Sequence, residues 1–264
     1  MEVNAIKYNN VINYEVNVGI AVITIQNPPV NALNRAVLTG LDECLDAVAA
    51  DINVRTVILT GEGKCFIAGA DIKEFAGMDF NELVTGTRSG QKIISRLEQI
   101  PVPVIAAING AALGGGLETT LACDIRIASE KALLGLPEVT LGILPAYGGV
   151  SRLSNIIGEG NAKMFIFTGQ PLDARQALTM GIVQEVVPPE RLMGRCMEVA
   201  SRIAAAAPLP VKRVKEGIRK RRDCNMEASL ENEVLYSMEC FHSEDRAEGI
   251  DAFLNKRKPL FKNK

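Results

Sequence analysis

Two glutamates that follow turn-forming residues are the side chains of this sequence best suited to acid–base chemistry. Glu118 comes after the glycine run at 114–116, and Glu138 comes directly after Pro137. Two carboxylates that face one pocket can divide the roles of general base and general acid, as the addition of water across a C=C bond requires. Taken singly, Glu118 could stabilise a helix N-terminus, and Glu138 could be a solvated loop acid. A two-carboxylate site therefore requires a fold that brings the pair together.

Two glycine-rich segments could supply the backbone donors for such chemistry. They are 68–73, with the sequence AGADIK, and 109–118, with the sequence NGAALGGGLE, and they follow β-branched runs at 54–60 and 102–108. A strand, a glycine turn and a helix start leave backbone N–H groups unpaired and pointing one way, which suits a developing oxyanion. Either segment alone is more simply an ordinary turn between a strand and a helix. Together they could each give one donor to a single carbonyl oxygen.

Hydrophobic periodicity indicates the elements that must position these residues. Alternating runs at 11–16 and 20–25 predict an opening hairpin. Further strands are predicted at 54–60, 102–108, 124–128 and 132–136, and helices at 34–50, 80–100 and 115–122. This alternation predicts an α/β domain with largely parallel strands. After Val150 the pattern is mainly helical, with helices at 151–168, 173–180, 190–206, 208–222 and 226–241 and one strand at 182–187.

Composition argues against several other classes of protein. The 264 residues carry a formal net charge of −2, and 47% of them are hydrophobic, so the chain can build a substantial core and has no global attraction to nucleic acid or membrane. The six cysteines are scattered and the one histidine is His242, which excludes the common zinc patterns and favours reduced thiols. The uncharged stretch 99–117 is long enough to span a membrane, but its prolines and consecutive glycines favour a buried strand and a turn. We therefore expect a cytoplasmic protein with no metal site and no membrane span.

The chain resembles the enoyl-CoA hydratase (crotonase) family over essentially its whole length. The matching segments are 27–33, 64–74, 105–118, 123–128 and 136–153. The resemblance implies a crotonase-type α/β spiral of ββα units. It also implies that Ala70 and Gly115 supply the oxyanion N–H groups and that Glu118 and Glu138 are catalytic. Because many relatives with other acyl-CoA chemistries lack one glutamate of the pair, the resemblance favours reversible hydration of a trans-2-enoyl-CoA to a 3-hydroxyacyl-CoA. An isomerase, or a hydratase of a cyclic or branched enoyl-CoA, is the alternative.

The same resemblance implies where coenzyme A, which is part of the substrate, would bind, and it implies no separate cofactor. The expected contacts are Val30, Ala68, Gly69, Asp71, Ile72, Lys73, Gly114, Ala146, Phe253 and Lys256. Lys73 and Lys256 match positions near the nucleotide phosphates, where lysine acts as a mobile point charge. For Lys256, a solvated surface lysine is an equal alternative.

One departure from the family pattern lies in the segment Leu144-Pro145-Ala146-Tyr147. The family usually has glycine at the position of Ala146, and its amide lies near the attacking water in hydratases. Alanine keeps the N–H, but its methyl group disfavours a positive φ and takes space beside the water. We also expect the neighbouring Tyr147 to narrow the acyl pocket.

The C-terminal part of the sequence raises a question of assembly and of a second function class. The resemblance implies a spiral core at 1–200 that holds the active site and coenzyme A, and a helical region at 201–264 that completes the pocket and forms homotrimers or hexamers.

A run of lysines and arginines at 212–222 could instead indicate RNA binding, as in some relatives. Because the net charge is slightly negative and no aromatic residue interleaves the run, we expect a solvated helix face and no nucleic-acid partner.

Overall fold

A computed structural model describes residues 6–264, apart from the side chain of Phe75. In this part of the chain the strands are β1 (Ile6–Tyr8), β2 (Ile12–Asn17), β3 (Ile20–Ile25), β4 (Thr56–Gly61), β5 (Cys65–Ile67), β6 (Val104–Ile108), β7 (Ala111–Leu113), β8 (Ile125–Ser129), β9 (Leu133–Gly135), β10 (Leu172–Asp173) and β11 (Glu185–Val187). The helices are α1 (Arg35–Ala50), α2 (Ile72–Ala76), α3 (Phe80–Gln99), α4 (Gly115–Leu121), α5 (Gly149–Ile157), α6 (Glu159–Thr168), α7 (Ala174–Thr179), α8 (Leu192–Ala204), α9 (Pro208–Lys220), α10 (Met226–Phe241) and α11 (Glu244–Leu254). Short 3-10 helices cover Pro137–Leu141, Pro189–Arg191 and Arg221–Asp223.

The strands form two sheets. The larger has the order β1-β2-β3-β4-β6-β8-β11 and is parallel from β3 onward, while β1, β2 and β3 pair antiparallel. The smaller has the order β10-β9-β7-β5, with β5, β7 and β9 parallel. All residues of β4 and β6 are buried, as expected for central parallel strands covered on both faces. The predicted α/β class, the largely parallel sheet and the opening hairpin are confirmed.

The core lies on both faces of the larger sheet, and the alternation along β4 shows how it is divided. Val57 and Leu59 belong to the cluster that includes Leu41 and Leu45 of α1, whereas Ile58 packs in a second cluster on the opposite face. The second cluster contains the buried side chains of α8, namely Leu192, Cys196 and Ala200. Successive strand residues point to opposite faces, so a single aliphatic run supplies both layers.

The structure differs from the expected elements in places that matter for the site. The first glycine-rich segment, 68–73, does not follow β4 directly, because strand β5 of the smaller sheet comes between them, and the second segment, 109–118, contains strand β7 of the same sheet. The single helix expected at 151–168 is two helices, since Gly158 adopts a φ of +78° at the junction of α5 and α6. The sequence analysis also missed α11, whose apolar residues follow no clear helical stripe. These three errors concern short or broken elements with weak periodicity.

The C-terminal part of the chain is helical, as predicted, and its basic run is largely paired with acids. Arg213 contacts Glu216 and Glu239, and Lys215 lies 2.7 Å from Asp124 while it donates to two backbone carbonyl oxygens. Lys220 and Arg222 also have carboxylate partners. This pairing favours an ordinary helix face over a basic surface for RNA. Among the described helices, none is long and apolar enough to cross a membrane.

Candidate active site

The glycine run before Glu118 allows helix α4 to begin in a crowded place. Gly114 adopts a φ of +51°, and a Cβ at position 115 would lie 2.9 Å from a methyl carbon of Leu33. A Cβ at position 116 would collide with the carbonyl oxygen of Ile67 at the end of β5. Only glycine fits such a close approach of two backbones. The run thereby fixes the first turn of α4, which carries Glu118, against the smaller sheet.

Glu118 is held as a buried carboxylate by two backbone donors. Its side chain is 2% exposed, and its Oε1 atom accepts hydrogen bonds from the N–H groups of Tyr147 and Gly149, both at 2.7 Å. Burial raises the pKa of Glu118 to about 7, and the negative charge of Glu138 adds to that rise. The two N–H donors and the nearby positive charge of Arg152 act in the opposite direction. A carboxyl group with this pKa can take up and release a proton near neutral pH.

Glu138 lies in the first turn of the 3-10 helix Pro137–Leu141 and is also buried, at 9% exposure. Its Oε2 atom has no hydrogen-bond partner among the described residues. Burial raises the pKa of this carboxyl as well. A Cβ at Gly114 would stand 2.9 Å from Oε1 of Glu138, so the glycine leaves space for the carboxylate. A buried and unpartnered carboxyl oxygen is costly to folding and commonly serves a functional site.

The two glutamates line one cavity of about 190 Å³. Most of the predicted site residues also line it, namely Ala68, Gly69, Ala70, Ile72, Gly114, Gly115 and Ala146. The remaining wall is mainly apolar and comes from Thr87, Leu113, Pro137, Leu141, Ile143, Leu144 and Tyr147. The fold therefore brings both carboxylates and both glycine-rich segments to a single apolar cavity, as the sequence analysis required.

The backbone N–H groups of Ala70 and Gly115 are available as donors at this cavity. Ala70 forms an isolated parallel bridge with Leu33, in which the Leu33 N–H donates to the Gly69 oxygen and the Asp71 N–H donates to the Leu33 oxygen. In such a bridge the N–H of the central residue, Ala70, points away from its partner strand. Gly115 is the first residue of α4, where N–H groups have no partner within the helix. Neither N–H donates to another group of the described chain.

Other predicted coenzyme A contacts lie around the first glycine-rich segment. The Val30 oxygen accepts the N–H of Ala68 at 3.1 Å, so Val30 lies beside the segment without lining the cavity. The Asp71 carboxylate accepts a hydrogen bond from the N–H of Lys73 at 3.0 Å and thus caps α2. The side chain of Lys73 is exposed. A role in capping explains Asp71 more directly than contact with a ligand.

Like Val30, Asp71 and Lys73, the predicted contacts Phe253 and Lys256 do not line the cavity. Phe253 is at the end of α11 and is 83% exposed, and Lys256 follows the helix with an exposed side chain. Neither belongs to the cavity wall. Their predicted contacts with coenzyme A stay a prediction.

Ala146 fits its place in the cavity wall without backbone strain. It is not among the described residues with a positive φ, so the alanine methyl group has no conformational cost there. Its carbonyl oxygen accepts a hydrogen bond of 2.7 Å from the side chain of Gln91. The expected cost of a positive φ therefore does not arise at Ala146, and the residue lines the cavity.

The sequence analysis missed residues that hold Glu118 in place. The N–H groups of Tyr147 and Gly149 contact its carboxylate, and Arg152 donates to the Tyr147 oxygen at 2.8 Å. Arg152 is itself held by Ser95 and Glu98 of α3. The glycine pair at 148–149 indicated a tight turn. The donors to Glu118 could not be identified from the sequence, because a backbone N–H does not depend on residue type. Within residues 6–264, no group of three His, Cys, Asp or Glu side chains could hold a metal ion.

Comparison with known proteins shows the family to which the chain belongs. The sequence model of the family described as enoyl-CoA hydratase/isomerase matches residues 15–264. The chain is 43% identical to a probable enoyl-CoA hydratase of Bacillus subtilis, over 96% of this chain and 99% of that protein. It is 45% identical to a short-chain-enoyl-CoA hydratase of Clostridium acetobutylicum, over 93% of this chain and 95% of that protein. The crystal structure of an enoyl-CoA hydratase from Bacillus anthracis superposes with a TM-score of 0.94 at 40% identity, over 96% of this chain and 100% of that one. The predicted crotonase-type α/β fold is confirmed, and the chain belongs to the enoyl-CoA hydratase/isomerase (crotonase) family.

Proposed function

We propose that this protein catalyses the reversible hydration of a trans-2-enoyl-CoA thioester to a 3-hydroxyacyl-CoA. One observation carries the proposal: two buried glutamates, Glu118 and Glu138, line the same cavity as the available N–H groups of Ala70 and Gly115. Hydration of a conjugated thioester needs a base for water, an acid for carbon and donors for the carbonyl oxygen. The cavity contains all three.

In the proposed mechanism the thioester oxygen lies between the N–H groups of Ala70 and Gly115. These donors stabilise the enolate that forms when water adds at C3, and losing one of them would cost about 3 kcal/mol of transition-state stabilisation. Because the donors belong to the backbone, the glycine-rich segments matter as much as the acids. No metal ion or redox cofactor takes part in the proposed reaction.

Glu118 is the proposed base and Glu138 the proposed acid. Two N–H groups fix Oε1 of Glu118, and its Oε2 accepts no hydrogen bond from the described residues, so Oε2 can take the proton of the attacking water. Glu138 in its protonated form would then deliver a proton to C2, and its unpartnered Oε2 atom suits that task. The charge of Glu138 raises the pKa of Glu118, and because coupled carboxyls titrate as a unit the two roles can be shared.

The relatives support a short acyl chain as the first substrate to test. The Clostridium acetobutylicum relative is a short-chain-enoyl-CoA hydratase, and crotonyl-CoA is the simplest substrate of that class. Purified protein should remove the conjugated absorbance of crotonyl-CoA and form 3-hydroxybutyryl-CoA. A panel of straight, branched and cyclic trans-2-enoyl-CoA thioesters would then define the preference. Isomerase or thioesterase activity with no hydration of any of them would contradict the proposal.

We further propose that residues 201–264 form trimers and complete the coenzyme A pocket. In α10 the buried residue is Ser229, while apolar side chains of α10 and α11 are more than half exposed. They include Leu230, Val234, Leu235, Met238, Phe241, Ile250, Phe253 and Leu254. So large an exposed apolar surface is typical of a subunit interface. Light scattering at micromolar concentration should give the mass of a trimer or hexamer, and a monomer would contradict this proposal.

A further inference from the structure

A second and larger cavity lies beside the candidate active site. It has a volume of about 520 Å³ and lies between α1 and α3. Its wall includes the buried apolar side chains of Leu33, Leu38 and Ile93 together with the partly exposed Leu83. We call it the outer cavity, and we call the 190 Å³ cavity of the two glutamates the inner cavity. The rest of the wall includes the charged residues Arg35, Glu74 and Glu82, so an alkyl chain would lie along the apolar side of the outer cavity.

Thr87 and Tyr147 are the residues that line both cavities. The Tyr147 ring lies against two glycines, one on each side. A Cβ at Gly115, in the inner cavity, would be 3.5 Å from Cδ2 of the ring, and a Cβ at Gly90, on α3, would be 2.5 Å from Cε1. The charges of Glu118 in the inner cavity and of Glu74 in the outer cavity both raise the pKa of the phenol, after the larger effect of its burial. Tyr147 therefore forms part of a wall that the two cavities share.

The backbone of Tyr147 is fixed at both of its polar groups. Its N–H donates to Glu118 at 2.7 Å, and its carbonyl oxygen accepts a hydrogen bond of 2.8 Å from Arg152. Arg152 is tied in turn to Glu98 of α3. With the backbone held and the ring packed against two glycines, the ring forms a partition between the two cavities.

We propose that the Tyr147 ring sets the length of acyl chain that this protein accepts. The chain of a short acyl-CoA ends in the inner cavity, and the outer cavity is the site into which the distal carbons of a longer chain would extend if the ring were absent. This inference rests on the proposed function for the identity of the ligand as an acyl-CoA. The physical cause is steric, because a methylene group that the cavity cannot accommodate weakens the binding of the acyl-CoA by about 10-fold or more.

Binding of saturated acyl-CoA thioesters tests the proposal without relying on turnover. Calorimetry would give Kd values of butyryl-CoA and octanoyl-CoA for the wild-type protein and for Tyr147→Ala. We expect the wild-type protein to bind octanoyl-CoA at least about 10-fold more weakly than butyryl-CoA. In Tyr147→Ala the ratio of the two Kd values should shift in favour of octanoyl-CoA by at least about 10-fold. Should the alanine variant fail to fold, Tyr147→Leu should shift the ratio in the same direction by a smaller factor.

Two control variants separate the partition from other effects. Tyr147→Phe keeps the ring and should keep the wild-type ratio, whereas a shift would overturn the steric explanation. Phe167→Ala removes an exposed aromatic ring that lines neither cavity, and it should also keep the ratio. Normal butyryl-CoA binding with an unchanged ratio in Tyr147→Ala would overturn this inference alone. No binding of butyryl-CoA to the wild-type protein would overturn the proposed function, and this inference with it.

Discussion

The ring of Tyr147 occupies the space in which a side chain at position 90 would begin. A Cβ atom at Gly90 would lie 2.5 Å from Cε1 and 2.8 Å from Cζ of the ring. Gly90 is buried in the middle of α3, where glycine costs about 1 kcal/mol relative to alanine. Glycine is required at this position because a larger residue would collide with the ring of Tyr147, whose backbone N–H donates to Glu118. The stability of α3 and the shape of the candidate active site are thus linked through one contact.

Gly90→Ala should destabilise the protein even though alanine favours the helix. Its methyl group must displace the Tyr147 ring, and overpacking of this kind typically costs 1 to 3 kcal/mol. Gly86→Ala on the same helix is the matched control, since a Cβ there meets no atom within 4 Å and should stabilise by up to about 1 kcal/mol. Urea unfolding would therefore give free energies for the two variants that differ by about 2 kcal/mol or more. Equal stabilities would show that the ring moves aside freely.

The same contact predicts that the effects of two substitutions are not additive. In a Tyr147→Ala background the clash is removed, and Gly90→Ala should then stabilise the protein about as much as Gly86→Ala does. A double-variant cycle of unfolding free energies would measure the coupling, which for residues in contact is typically about 0.5 to 3 kcal/mol. Coupling near zero would contradict direct packing of the ring on Gly90.

Both glutamates should be needed for hydration. We expect Glu118→Gln and Glu138→Gln each to lower kcat for crotonyl-CoA by at least about 100-fold, the low end for lost acid–base catalysis. Affinity for acyl-CoA should change little, because the N–H groups of Ala70 and Gly115 remain. An isomerase would need only Glu138 to move its proton, so Glu118→Gln would retain near-normal turnover of a 3-enoyl-CoA. Full hydratase activity in Glu118→Gln would contradict the two-carboxylate mechanism.

Long periodic elements could be predicted from the sequence, whereas the short strands β5 and β7 could not. Helix α1 begins at Arg35 with Asn34 as its cap, and α10 has the predicted bounds, because apolar spacing or polar caps mark them. Strands β5 and β7 have three residues each, which is too few for any period to be visible. Their place in a second sheet depends on pairing between distant segments. The α/β class therefore followed from the sequence, while the smaller sheet did not.

The site could be predicted where residue type carries the chemistry. Glu118 and Glu138 were identified from their carboxylates and their glycine and proline neighbours. The donors to Glu118 are the backbone N–H groups of Tyr147 and Gly149, and a backbone N–H is present in every residue type except proline. Gly90 is unusual in the sequence because it is a glycine within a predicted helix. The need for glycine at this position comes from a tertiary contact with Tyr147. Such contacts become visible only in three dimensions.

The pKa of Glu118 predicts how activity depends on pH. Burial raises this pKa to about 7, and the base must be ionised to accept a proton from water. We expect kcat/KM for crotonyl-CoA to fall about 10-fold for each pH unit below 7, because only the ionised fraction of the free enzyme reacts. A pH–rate profile measured from pH 5 to 9 would check this expectation. A profile that is flat down to pH 5 would show that the base has an ordinary carboxyl pKa.

The same pKa predicts a stability change in Glu118→Gln with a definite sign. The folded state binds the Glu118 proton more tightly than the unfolded state, whose pKa is near the ordinary value of 4.5. The contribution of Glu118 to the stability of the wild-type protein is therefore fully present below pH 4.5 and is lost as pH rises through 7. Glutamine carries no charge and can still accept both N–H groups, so this variant should be more stable than wild type at pH 8, by at most about 3 kcal/mol. Thermal unfolding at pH 5 and pH 8 should show a gain that is larger at pH 8, and a gain independent of pH would exclude the elevated pKa as its cause.

Gly114→Ala should lower activity by moving Glu138. The new Cβ would stand 2.9 Å from the Oε1 atom of Glu138, and the φ of +51° at this position also disfavours alanine. Gly63→Ala is the matched control, because Gly63 has a φ of +74° and a Cβ there would meet no atom within 4 Å. Both variants should lose about 1 kcal/mol of stability or more from backbone strain. Only Gly114→Ala should also lower kcat, and we expect a loss of at least about 10-fold because a small displacement of a catalytic group is costly. Equal kcat values for the two variants would mean that Glu138 tolerates displacement and is not the proton donor to C2.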